Sequence, residues 1–104
     1  MAYRVEVTAR AAHDLRRIYR AINADYASQA ADWFNGLEAL VLSLEEYPSR
    51  GTPTVEDGKL RQLLYGTRPS VYRVIYAIDE PGAVVRVLHI RHGAQQNFDP
   101  VRPQ

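Results

Sequence analysis

Residues 71–92, VYRVIYAIDEPGAVVRVLHIRH, decide the fold. Residues 71–79 are apolar on both alternating faces, with Tyr72, Val74, Tyr76 and Ile78 on one and Val71, Ile75 and Ala77 on the other. A strand of that kind sits in the middle of a sheet, covered on both sides or nearly so. Glu80-Pro81-Gly82 is a turn signal, and residues 83–90 form the returning strand of a hairpin. The one charged residue set into the first strand is Arg73. Strict alternation along the second strand puts Arg86 and His92 on one face with Val84, Leu88 and Ile90, and His89 and Arg91 on the other.

Outward from the hairpin, residues 60–65 read as a further strand. Before them, residues 48–58 hold Pro and Gly without apolar period and form the one long loop. Upstream, Ala31, Phe34, Leu37, Val41 and Leu44 recur at helical spacing, with Trp33, Leu40 and Tyr47 widening the stripe. Ser28 is placed to cap that helix, and Pro48 ends it near Glu46 or Tyr47. Leu15, Ile18, Tyr19, Ile22 and Tyr26 share one face of an earlier helix, which Thr8 caps. The link left between the helices, residues 26–28, is short enough to make them an antiparallel pair. At the N-terminus, Tyr3, Val5 and Val7 alternate with Arg4, Glu6 and Thr8 as a half-buried strand.

The order is therefore β-α-α-β-β-β. It predicts an α+β fold: an N-terminal strand and an antiparallel helical hairpin packed on a small antiparallel sheet. One domain is expected over residues 1–98, with residues 99–104 as a loosely ordered tail. A chain of 104 residues, 46% hydrophobic and 24% charged, has the composition of one globular domain. It has no cysteine, which excludes disulfides and thiolate metal sites. The expectation is a cytoplasmic protein, because the first residues lack the apolar run of a signal peptide and no stretch approaches a membrane span.

The net charge of +1 hides an asymmetry. Residues 1–58 have six arginines against nine carboxylates, a balance of −3, whereas residues 59–104 have seven Lys+Arg against three, a balance of +4. A basic half can face phosphate or an acidic partner, or be a solvated sheet face. No metal and no cofactor is expected. His89 and His92 are three apart on a strand and point to opposite faces, and no P-loop, nucleophile elbow or dinucleotide loop is present.

Arg73 has two readings. It forms an ion pair with Glu56, Asp57 or Asp79, or it is a fixed guanidinium that binds phosphate. His92, at a strand end, is the best general acid–base candidate, although a surface histidine without such a role is the commoner case. Tyr65, Tyr72 and Tyr76 could stack on bases or belong to the core.

Four segments carry a resemblance: VTARAAHDL at 7–15, YPSRGTP at 47–53, YRVIY at 72–76 and VLHIRHG at 87–93. In that order and spacing the chain resembles the RelE/ParE toxins of type II toxin–antitoxin systems, over roughly residues 3–98. The resemblance implies a bacterial or archaeal growth-inhibiting toxin neutralised by a cognate antitoxin, whose partly disordered segment folds across it, with Trp33 or Tyr47 as anchors. RelE-like and YoeB-like members cleave mRNA in the ribosome, and ParE-like members poison DNA gyrase.

For the nuclease branch, the resemblance puts Arg73 at the scissile phosphate, His92 near the general acid and Glu56 in the region of a base. Lys59 and Arg61 stand in for a lysine pair, and Arg86 and Arg91 extend the basic surface for target or nucleic acid. The match is incomplete, because Gly93 stands where a tyrosine is expected. The resemblance therefore favours a ParE-like toxin. The alternatives are a ribosome-dependent mRNA endoribonuclease and an interaction module without toxicity.

Overall fold

The computed structural model describes residues 2–93. The expected tail at 99–104 and the last residues of the expected domain lie outside the described residues. The elements run β1 (Arg4–Val7), α1 (Ala9–Ala21), α2 (Ser28–Leu42), β2 (Thr52–Pro53), β3 (Arg61–Tyr65), β4 (Tyr72–Asp79) and β5 (Val84–His92). They form two helices on one face of a five-stranded sheet of order β1-β5-β4-β3-β2. The fold is α+β, as expected.

Two features change the expected sheet. First, it is mixed: β2, β3, β4 and β5 are antiparallel neighbours, but β1 runs parallel to β5, Arg4 opposite Val84 through Val7 opposite Val87. A parallel neighbour needs a crossover, and here everything between the chain's ends supplies it. Second, the loop at 48–58 contains β2, which pairs with β3 through Thr52–Gln62 and Pro53–Arg61. A Pro can occupy such a strand because β2 is at the sheet's edge.

α1 starts as expected: the Thr8 hydroxyl accepts from the Ala11 amide at 3.2 Å. α2 does not. Ser28 is its first helical residue, and the capping position is Ala27, which has no side-chain cap. The linker is longer than expected, spanning residues 22–27, and Tyr26 is 89% exposed rather than on the inner face. The second helix stops at Leu42, giving way to a 3₁₀ turn at Ser43–Glu45 before Pro48 is reached.

The core lies between the helices and the inner sheet face. Leu37, Val41 and Leu44 meet Val74, Tyr76, Val85, Val87 and Ile90. Each fully buried aliphatic side chain contributes about 1.5–3 kcal/mol. Tyr76 is completely buried, and its hydroxyl accepts from the Gly51 amide at 3.1 Å and donates to the Pro48 carbonyl. That pins the 48–51 segment to the sheet. A second polar anchor is Asp14 of α1. Where β1 ends, its carboxylate accepts from the Ile90 amide at 3.0 Å, and it also meets Arg10 Nε at 3.3 Å. Among the described residues no helix is long and apolar enough to cross a membrane.

Candidate functional site

The register of β4 and β5 decides which basic residues share a face. Tyr72 faces His92, Arg73 faces Arg91, Val74 faces Ile90 and Ile75 faces His89, but Tyr76 faces Val87. Leu88 is therefore an extra residue, and a β-bulge of this kind shifts the parity of everything beyond it. Val85, Val87, Ile90 and His92 face the helices, while Arg86, His89 and Arg91 face away. The expectation that Arg86 and His92 share a face is corrected by the bulge. His89 and His92 do point to opposite faces.

The outer face gathers Arg73, Arg91, Gln62 and His89. Arg73 is 9% exposed. Its guanidinium meets Glu56 twice, Nη1 to Oε2 at 2.9 Å and Nη2 to Oε1 at 2.8 Å, and its Nε donates to Gln62 Oε1 at 2.8 Å. This forked pairing is the strong form of an arginine–carboxylate contact. It matches the ion-pair reading of Arg73, with Glu56 as the acid. Glu56 is delivered by the 54–58 turn, where Thr54 Oγ1 accepts from the Asp57 amide at 3.1 Å and donates to the Asp57 carbonyl at 2.6 Å. Arg73 also borders an open hollow of about 520 Å³ with Leu64, Arg68 and Val71.

Opposite Arg73, Arg91 places a like charge across the strand pair, which is unfavourable without an acid nearby. His89 is buried. Burial pushes its pKa down, with Asp14 opposing the shift and Arg10 and Arg91 adding to it.

His92 lies on the inner face. Its ring stands edge-on to Tyr72 at 5.0 Å, and Tyr72 meets Trp33 at 5.5 Å. By the register of β4 and β5, His92 and Arg73 therefore stand on opposite faces of the sheet. Glu56 and Arg73 are brought together. Sequence reasoning did not single out Gln62 as a partner of Arg73. The signal lay in its position on β3, two residues before Leu64, the cross-strand partner of Arg73.

The remaining candidates are scattered. Lys59 is exposed in the turn before β3, its amide held by Asp57 Oδ1 at 2.9 Å. Arg61 donates to the carbonyls of Ser49 at 3.2 Å and Gly51 at 2.7 Å, so its guanidinium ties down the loop. Arg86 is exposed and pairs with Glu6 at 3.2 Å and Asp79 at 3.5 Å. Trp33 is half-buried in an aromatic belt with Tyr65 at 4.9 Å and Tyr72. Tyr47 is 80% exposed and left-handed, φ 49°. Arg50 holds that turn by donating to the Glu46 carbonyl at 2.7 Å. Among the described residues no group of histidines and acids is placed to hold a metal ion.

A family model described as the ParE toxin of the type II toxin–antitoxin system parDE matches residues 5–97. A protein of Mycobacterium tuberculosis named Toxin RelE is 34% identical over 104 residues, covering 98% of this chain and 94% of that one. Among solved structures, a chromosomal ParDE system from P. aeruginosa superposes with a TM-score of 0.72 at 20% identity, over 88% of this chain and 96% of that one. A mutant of E. coli toxin RelE in the free state gives 0.64 at 17% identity, over 92% and 88%. Those two likenesses bear on the fold, and the family model and the curated relative bear on descent. The chain belongs to the RelE/ParE family of toxins of type II toxin–antitoxin systems.

Proposed function

We propose that this toxin acts by the ParE-like route, inhibiting bacterial growth by binding DNA gyrase in the cytoplasm without cutting RNA. The observation that carries the reading is the separation of Arg73 from His92 across the sheet, together with the forked Arg73–Glu56 pairing. General acid–base catalysis at one phosphate requires its groups within hydrogen-bond reach of the same atoms. The match of the ParE model to residues 5–97 supports the same branch. The test is a supercoiling assay with purified gyrase. Inhibition with accumulation of cleaved DNA complexes is expected, and normal supercoiling at excess toxin refutes the reading.

The partner is a cognate antitoxin. Tyr47 is the anchor this surface offers, being large, aromatic and exposed. Trp33 is a weaker candidate because its ring is committed to Tyr65 and Tyr72. Co-expression with the protein encoded beside this one should give a stable complex that Tyr47→Ala weakens.

A second reading, a ribosome-dependent endoribonuclease, is supported by the relative named Toxin RelE and by the outer-face group of Arg73, Arg91, Gln62 and Glu56. In that reading Arg73 stabilises the phosphate and Glu56 must first release it. Arg73→Ala should then cost on the order of 10²-fold in cleavage. Full mRNA cleavage by that variant refutes the assignment.

A further inference from the structure

The two faces of α1 are unlike. Ala11, Asp14 and Ile18 are buried against the core. The exposed residues are Ala9, His13, Arg16, Arg17, Arg20 and Ala21. Positions 13, 16, 17 and 20 fall within about 100° of one another on a helix of 3.6 residues per turn. Three arginines and a histidine therefore form one ridge, and every exposed side chain on this helix larger than alanine belongs to it.

The fold does not pair that ridge from within. Asp14 is engaged by Arg10 at 3.3 Å and by the Ile90 amide at 3.0 Å. Arg16, Arg17 and Arg20 form no ion pair among the described residues. Asp25 and Glu38 border the same groove as Arg16 and Arg20 without pairing with either, and Asp25 accepts instead from the Tyr19 hydroxyl at 2.7 Å. Arg20 repels Arg16 and Arg17, which lie four and three residues before it. The helix dipole favours a cation in the last turn, which accounts for Arg20 but not for Arg16 or Arg17. Such a ridge suits an anion from outside the chain.

The chemistry of the ridge narrows that anion. A protein partner needs buried apolar or aromatic anchors, and unpaired bases need rings to stack on. The exposed side of α1 offers neither. Binding through arginines alone fits a duplex, whose phosphates form regular rows and whose bases stay stacked inside. A helix of 13 residues is about 20 Å long and fits the width of a B-DNA major groove, whereas the major groove of duplex RNA is too narrow.

We propose that the ridge of Arg16, Arg17 and Arg20 on α1 binds the phosphate backbone of duplex DNA without reading its sequence. This goes beyond the gyrase reading and does not rest on it. The assay contains no gyrase, so failure to bind DNA and failure to inhibit supercoiling are separate results.

Fluorescence anisotropy tests it, with the purified full chain and a labelled DNA duplex of about 20 base pairs, two helical turns. Salt is varied from about 50 to 200 mM. Three phosphates neutralised predict a slope of log K against log salt of about −2.7. Arg17→Ala should make the slope shallower by about 0.9 and weaken binding about eightfold at 0.1 M salt. The triple variant Arg16→Ala/Arg17→Ala/Arg20→Ala should bring the slope near zero. All three residues are exposed, so the variants should fold, as circular dichroism will confirm. Arg4→Ala removes the same charge from β1, on the sheet face away from the helices, and should leave binding unchanged. A scrambled duplex should bind equally well, and a single strand or an RNA duplex of the same length more weakly. The proposal is overturned by no binding at the lowest salt, by equal losses from Arg4→Ala and Arg17→Ala, or by a triple variant that keeps the slope. Equal or tighter binding of the single strand, the RNA duplex or a glutamate-rich peptide also overturns it.

Discussion

Replacing Glu56 by Gln tests the outer-face arrangement most directly. The side chains of Arg73 and Glu56 are 11% and 5% exposed and share two contacts of 2.8 and 2.9 Å. The variant keeps the shape of the acid but removes its charge, leaving a buried guanidinium with its Gln62 contact and no balancing carboxylate from Glu56. Breaking one partner of a buried pair costs about 3–5 kcal/mol. Against a total stability of about 5–15 kcal/mol for a domain, that is a large fraction. In a chain of this length it corresponds to a melting temperature lower by on the order of 10–25 °C. Urea unfolding, followed by the fluorescence of the single tryptophan Trp33 and by circular dichroism, measures it. The double variant Glu56→Leu/Arg73→Met removes both charges and should recover most of the loss, because a hydrophobic replacement of a buried pair is often neutral. A cost below about 1 kcal/mol for Glu56→Gln, or a double variant as unstable as the sum of its singles, refutes the claim that this pair is buried and mutually dependent.

Gly36→Ala in α2 should destabilise by about 1–3 kcal/mol, although alanine normally favours a helix, because the new Cβ collides with the Tyr65 hydroxyl. That hydroxyl donates to the Trp33 carbonyl at 2.6 Å, and thermal unfolding should show Tyr65→Phe rescuing the alanine variant. Lowering the pH should destabilise the protein through His89. Burial holds its folded pKa below the ordinary value, so as pH falls through the usual imidazole range, near 6.5, the unfolded chain takes up a proton that the folded chain resists. Stability measured by urea midpoints should therefore rise with pH across about 5–7, and His89→Gln should flatten that rise; an unchanged slope contradicts it. Tyr47→Gly should stabilise the isolated toxin by roughly 1 kcal/mol by relieving a left-handed residue, while weakening capture by the antitoxin; unchanged capture removes Tyr47 as an anchor.

Much of the fold was legible because its elements are strongly periodic. The two-faced apolar pattern of 71–79 and the helical stripe through Phe34, Leu37 and Val41 correspond to β4 and α2. What periodicity misses is geometry set by tertiary contacts. The bulge at Leu88 has no local signal, since Val87, Leu88 and Ile90 are all apolar, yet it fixes which face His89, Arg91 and His92 occupy. Tyr26 continued the helical spacing of Ile18 and Ile22, but α1 ends at Ala21 and Asn23 turns left-handed, φ 58°. The two-residue β2 is stabilised by pairing with β3, not by its own sequence, Thr52-Pro53. For the site, the Glu56–Arg73 pair was among the readings open from the sequence, whereas Gln62 was not, because a neutral amide carries no charge pattern.

The parallel pairing of β1 with β5 bears on how the molecule is made. The first strand ends at Val7 and its partner begins at Val84, so the sheet's edge is joined by residues about three quarters of the chain apart. Long-range pairing of this kind is slow, because the entropy of closing the loop must be overcome before contacts compensate it. A chain growing on the ribosome cannot complete this edge until β5 has been synthesised and has emerged. Val5 and Val7 wait without their sheet neighbours until then. Translation thus sets a delay between the start of the polypeptide and a finished toxin. Within that interval an incomplete chain has an open β5 site where β1 belongs, exposed to any extended segment able to pair with it.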